Sequence, residues 1–174
     1  LSSDATPGHN RSWKNREYTT QTLEAIKGLG IPAIWFWPNV DAGTDEVSKA
    51  IRIFRENEKP KNVRFIKYLP ADHFLGLIKK SACIVGNSSA GIKESSFLGT
   101  PVVNIGTRQF GRMRANNVIS VNYDQAEIAE AIKKQLSHGA YESSDIYHKA
   151  NTAMNIVDKL INLKLYSQKR FYHN

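Results

Sequence analysis

Short runs rich in Ile and Val alternate with stretches of helical period along most of this 174-residue chain, and few folds accept that alternation. A first helix is expected over Arg16–Leu29, closed by Gly28 and Gly30. Ala33–Trp37 (AIWFW) reads as a strand stopped by Pro38, its aromatic rings suited to packing between sheet and helix. From Asp45 to Asn57, Val47, Ala50, Ile51 and Phe54 recur at helical spacing, with Thr44 or Asp45 as the cap. Val63–Ile66 is a second strand, and Ala71–Lys80 a helix with Phe74, Leu75 and Ile78 on one face. A third strand is expected in Ala82–Val85, then a helix after Gly91 that stops at Gly99-Thr100-Pro101. Val102 to Gly106 and Val118–Val121 complete the strands, and helices over Gln125–Leu136 and Ile146–Leu165 close the chain. Strands separated by helices predict an α/β domain built on a doubly wound parallel sheet. No repeat, low-complexity tract or linker divides residues 1–174, so one domain is expected.

The composition excludes several classes. Apolar residues make up 41% of the chain, enough for an ordinary core. Its single cysteine, Cys83, lies in an apolar run and reads as a small core residue. One cysteine permits no internal disulfide framework, which suits a reducing, cytoplasmic setting. No apolar stretch approaches the roughly 20 residues that span a bilayer, so no membrane partner is expected. The net charge of +8 raises nucleic acid as a ligand. The basic residues are spread out, however, with modest groups at 59–61, 108–114 and 164–170 and no recognisable nucleic-acid-binding pattern. No nucleic acid is expected, and the excess charge suits attraction of a diphosphate.

The segment Val85–Glu94, VGNSSAGIKE, carries the chemistry. It joins a buried strand to a helix through two glycines, an Asn and two serines. Small hydroxyls and free N–H groups at a helix start bind anions, phosphate above all. A plain N-capped helix has the same composition, and that reading stays open at this point. The strand ending at Gly106 runs into Thr107-Arg108-Gln109-Phe110-Gly111-Arg112. Ligands of open parallel sheets sit beyond the carboxyl ends of strands. Both turns lie at such ends, and Arg108 can hold phosphate through two hydrogen bonds. Arg112 is a further cation nearby.

These motifs, GNSSAGIKE followed by LGTPVVNIGTRQ, resemble those of the UDP-N-acetylglucosamine 2-epimerases. WPNVDAG at Trp37–Gly43 and FIKYLP at Phe65–Pro70 match the same family, and the resemblance runs from about Tyr18 to Val121. It is nearer the hydrolysing type, which makes N-acetylmannosamine and UDP for sialic-acid-type pathways; the other type more usually reads DSGGIQEE at the first motif. The family has two Rossmann-like domains facing across a cleft, as in many glycosyltransferases of the B type. The matched motifs belong to the second half, so this chain resembles a C-terminal domain whose partner is an N-terminal domain of the same protein.

The resemblance also implies roles. Ser88 and Ser89 would hold the diphosphate of UDP or a UDP-sugar, Glu94 the ribose hydroxyls, and Arg108 the phosphate charge. Asn39 would touch the nucleotide, with Asp41 beside it, and Leu69 would contact the uracil end through its backbone. The family has a strand and a ligand-contacting His-Pro before the first helix. Neither stands in the loop-like stretch Leu1–Asn15, where His9 is followed by Asn10. The implied chemistry is anti elimination of UDP across C1 and C2, then addition of water in hydrolysing members. Its acid and base carboxylates come mostly from the other domain, so no catalytic residue is assigned here. No metal and no cofactor is expected. A glycosyltransferase donor half and a non-catalytic nucleotide-sugar sensor are the alternatives; a homo-oligomer stays open.

Overall fold

The computed structural model describes residues 12–38 and 44–164. The elements are α1 (Ser12–Leu29), β1 (Ala33–Phe36), α2 (Thr44–Glu58), β2 (Val63–Ile66), α3 (Ala71–Lys80), β3 (Ile84–Gly86), α4 (Glu94–Leu98), β4 (Val102–Ile105), β5 (Val118–Val121), α5 (Gln125–His138) and α6 (Thr152–Asn162). Two 3-10 turns, Ser89–Gly91 and Asp145–Tyr147, lie between them. Every strand pairing is parallel, as the α/β reading requires. The sheet nevertheless comes in two pieces, β1-β2 and β3-β4-β5, rather than the single sheet expected.

Helices cover both faces. On one, α1 packs against α2 and α5; on the other, α3 packs against α4. The main core lies under the first layer. It joins Leu23 and Ile26 of α1, Val47, Ile51 and Phe54 of α2, and Ile128 and Ile132 of α5 to Trp35, Val63, Val103 and Ile105 of the strands. Each is an apolar residue at the spacing its element needs to aim one face inward. This shared core holds both sheet pieces in one body.

Gln135 of α5 ties the layer to the sheet through polar contacts. It is fully buried; its Nε2 donates to the carbonyls of Val102 (2.7 Å) and Asn117 (2.9 Å), and its Oε1 accepts from the Tyr141 hydroxyl at 2.8 Å. Both ends of the amide are therefore satisfied, as a buried polar group requires.

Three expectations change. The helix expected from Arg16 starts one turn earlier, at Ser12, and Arg16 pairs with Glu46 of α2 at 2.7 Å. On α3, Leu77 rather than Leu75 turns inward with Phe74 and Ile78, while Leu75 is exposed. The last helix is not continuous from Ile146: a 3-10 turn precedes α6, and Asn151 between them adopts the left-handed region (φ 55°). Asn visits that region more readily than most residues, and it breaks the helix there.

Candidate functional site

The tips of β3 and β4 lie side by side, because Ile84 pairs with Val102, Val85 with Val103 and Gly86 with Asn104. Each strand ends in a glycine with positive φ, Gly86 at 144° and Gly106 at 73°. At Gly106 a Cβ would come within 2.3 Å of the Tyr123 ring, so both backbone and space demand glycine. The two chains therefore turn sharply at the same level, and their loops meet above the sheet.

Asn87 is where they meet. It is buried at 1% exposure. Arg108 Nη1 donates to its carbonyl at 3.0 Å, and Gln109 Nε2 donates to the same oxygen at 2.8 Å. Asn87 Nδ2 donates to the Tyr123 hydroxyl at 3.4 Å, and the Tyr123 ring stacks on Tyr18 at 3.7 Å between centroids. The β4 loop is thus fastened to the residue directly before Ser88. Arg114 braces it from behind, its Nη1 donating to Ser120 Oγ at 2.5 Å.

Ser88 caps the following 3-10 turn, and its hydroxyl accepts from Ala90 N–H at 3.3 Å. Ser88 is exposed and Ser89 half-buried. The first N–H groups of such a turn have no partner within it. Gly91 closes the turn against the sheet, where a Cβ would meet Val102 Cγ1 at 3.2 Å. The buried serines of α4 are spent locally: Ser95 Oγ donates to the Gly91 carbonyl and Ser96 Oγ to that of Lys93, each at 2.7 Å.

The predicted residues divide as follows. Ser88 and Leu69 border one cavity, which lies between β1 and β3. Arg108 is exposed at the serine turn, and among the described residues no ion pair engages Arg108, Arg112 or Arg114. Glu94 is exposed, and the helix expected directly after Gly91 begins only with Glu94 as the first residue of α4. The 3-10 turn over Ser89–Gly91 ends before it, so helix and serine turn are distinct elements. Asn39, Asp41 and His9 lie outside the described residues. Sequence reasoning passed over Asn87, Gln109 and Tyr123, which fix the loops from below; the buried Asn in GNSS and the Gln after Arg108 were the available signals.

Cys83, at the start of the same strand region, is no nucleophile. Burial pushes its thiol up to about 12, so it stays protonated and inert at ordinary pH.

The model of the UDP-N-acetylglucosamine 2-epimerase family matches residues 7–161, almost the whole chain. The chain belongs to that family. Its relatives include a UDP-N-acetylglucosamine 2-epimerase of Neisseria meningitidis, 33% identical over 138 residues, which covers 78% of this chain and 35% of the relative. A hydrolyzing UDP-N,N'-diacetylbacillosamine 2-epimerase of Legionella pneumophila is 29% identical over 146 residues, covering 84% of this chain and 38% of the relative. Among solved structures, the UDP-GlcNAc 2-epimerase of Methanocaldococcus jannaschii aligns with TM-score 0.65 at 17% identity, over 88% of this chain and 44% of that one. A structure of that enzyme in complex with UDP-GlcNAc and UDP aligns with TM-score 0.64 at 17% identity, over 85% of this chain and 41% of that one. At that identity the likeness speaks for the fold. This chain spans about two fifths of the length of the epimerases it matches.

Proposed function

We propose that residues 1–174 form the C-terminal, UDP-binding domain of a cytoplasmic UDP-N-acetylglucosamine 2-epimerase of the hydrolysing kind, active in amino-sugar metabolism of the sialic-acid type. The observation that carries this reading is the meeting of two strand tips at Asn87. There a guanidinium with no acidic partner among the described residues stands beside a serine-capped turn. Arg108 would neutralise the diphosphate, and Ser88 and Ser89 would offer hydroxyls and N–H groups to its oxygens. Glu94 would accept from the ribose hydroxyls, while Leu69 and Asn39 would border the nucleotide. The family membership supports the substrate class, and the hydrolyzing Legionella relative supports the subtype.

In the proposed reaction a base removes the C2 proton as the C1–O bond to UDP breaks, and water then adds to the unsaturated sugar. This domain would stabilise the departing diphosphate, where charge accumulates. The acid–base groups would come from an N-terminal domain of the same protein. Calorimetry with UDP tests the reading directly. Binding by the chain that weakens when Arg108 is replaced supports it; full-strength binding without Arg108 and the serine turn overturns it.

A further inference from the structure

Residues 107–114, which carry Arg108, Arg112 and Arg114, form a loop that is fastened near Asn87 and bare at its tip. Phe110 is 85% exposed and Met113 61%, so little packing fixes residues 110–113. Their course depends on hydrogen bonds instead. Phe110 N–H donates to the Thr107 carbonyl at 2.8 Å, and Arg112 N–H to that of Gln109 at 3.4 Å. Another bond comes from far along the chain. The Tyr147 hydroxyl, 34 residues away, donates to the Met113 carbonyl at 2.8 Å.

Tyr147 reaches the loop from a strap, residues 139–148, that is itself clamped to α4. The last carbonyls of so short a helix need partners from outside it. The strap supplies them. Tyr141 N–H donates to the Gly99 carbonyl at 2.8 Å, Ser144 N–H to that of Ser96 at 2.9 Å, and Ser143 Oγ to that of Phe97 at 2.6 Å. The rings of Phe97 and His148 stack with centroids 4.2 Å apart. Gly99 has positive φ (67°), and a Cβ there would collide with the Tyr141 carbonyl, so strap and helix end approach as only glycine allows. The other end of α4 is joined as firmly to the serine turn. Ile92 and Lys93 N–H groups both donate to the Ser89 carbonyl at 2.9 Å.

Two links therefore join the arginine loop to the serine side of the site. On the inside, Arg108 and Gln109 meet the Asn87 carbonyl. On the outside, Tyr147 connects Met113 to the strap and so to α4. A loop tied near one end can swing about that end; a second tie at the tip removes the swing. Met113 stands between Arg112 and Arg114, so the outer tie fixes the backbone from which Arg112 extends. Arg112 itself is exposed, one hydrogen bond away from Gln109 and hence close to the Asn87 junction.

We infer that Tyr147 is a positioning residue of the candidate anion site: its hydroxyl holds the loop so that Arg112 joins Arg108 in facing a bound diphosphate. For its ligand this rests on the UDP reading above; the tie itself does not. A loop ordered in advance spares the ligand the cost of ordering it. Without the hydroxyl, part of the binding energy goes into bringing Arg112 into place, and affinity falls.

Tyr147→Phe keeps the ring and removes the bond, and two measurements read the result. Without ligand, amide exchange at residues 111–114 should quicken about 10-fold. In calorimetry with UDP and with inorganic pyrophosphate, both anions should bind about 3- to 10-fold more weakly, the value of one neutral hydrogen bond. Arg112→Ala, an exposed change that spares the core, should by itself weaken both anions about 10-fold. In that background Tyr147→Phe should change affinity by less than about 2-fold, because the cation it places is gone. A tyrosine with a structural role alone would weaken both backgrounds alike, and that result overturns the inference. Unchanged exchange, or unchanged affinity in either single variant, overturns it as well. Pyrophosphate binding that depends on Tyr147, with no preference for UDP, would sink the nucleotide reading alone. UDP binding indifferent to Tyr147 and Arg112 would sink this inference alone, and a chain that binds neither anion sinks both.

Discussion

At the scale of single residues, Arg108 and Cys83 show how position sets chemistry. Arg108 is held by one carbonyl, that of Asn87, and the rest of its guanidinium is free to meet an anion. Arg108→Ala should weaken UDP binding about 10- to 100-fold by calorimetry, the value of one or two charge-assisted hydrogen bonds. Arg108→Lys should recover only part of this, since a point charge cannot reproduce the planar fork. Cys83 links burial to pH. Its thiol ionises near 8.5 in an unfolded chain, but only near 12 in the fold. Above the first value the unfolded chain releases a proton that the native chain keeps. Stability is thus complete below about pH 8.5 and declines toward pH 12. Urea unfolding at pH 7 and pH 10.5 should show a smaller alkaline loss in Cys83→Ala than in the parent, whatever the cavity costs at both pH values.

At the scale of elements, the turns that present the site depend on features no propensity describes. Gly106 must take positive φ and make room for Tyr123. Gly106→Ala should cost about 2–4 kcal/mol, combining backbone strain with overpacking, measured by the urea midpoint. By contrast, α5 starts from a local signal. Asp124 accepts from Glu127 N–H at 2.9 Å, and Glu127 Oε2 accepts from Asn122 N–H at 3.1 Å. Asp124→Ala should cost about 1 kcal/mol in the same measurement and leave UDP affinity unchanged. A cap acts on its own helix, whereas the Gly106 turn supports Tyr123, Asn87 and hence Arg108.

At the scale of the molecule, the chain has one shared core but unfinished surfaces. Among the described residues the sheet is open at β1 and β3, and α6 has no buried residue, with Ile156, Leu160 and Ile161 all exposed. If the acid–base groups reside elsewhere in a longer protein, these 174 residues should bind UDP and release no N-acetylmannosamine from UDP-N-acetylglucosamine. Turnover by this chain alone, in a coupled UDP-release assay, would refute that division of labour.

Much of the fold was legible locally. Ala71–Lys80 and Val118–Val121 appear at the bounds their periodicity predicts, and every strand was recognised within two residues. Hydrophobic period and Gly/Pro punctuation act within a few residues, so they can be read without tertiary information. The serine turn and Arg108 were legible for the same reason, as short motifs at strand ends. Contacts between distant residues were not. Nothing near Asn87 in sequence says that Arg108 and Gln109, more than twenty residues away, share its carbonyl, nor does the β1 sequence reveal that one edge stays unpaired. Local composition by itself determined the order and type of the elements and the serine-capped turn after β3. Only the tertiary structure decided which strands become neighbours and where the sheet is left open, because pairing depends on the faces that the whole set of helices can bury at once.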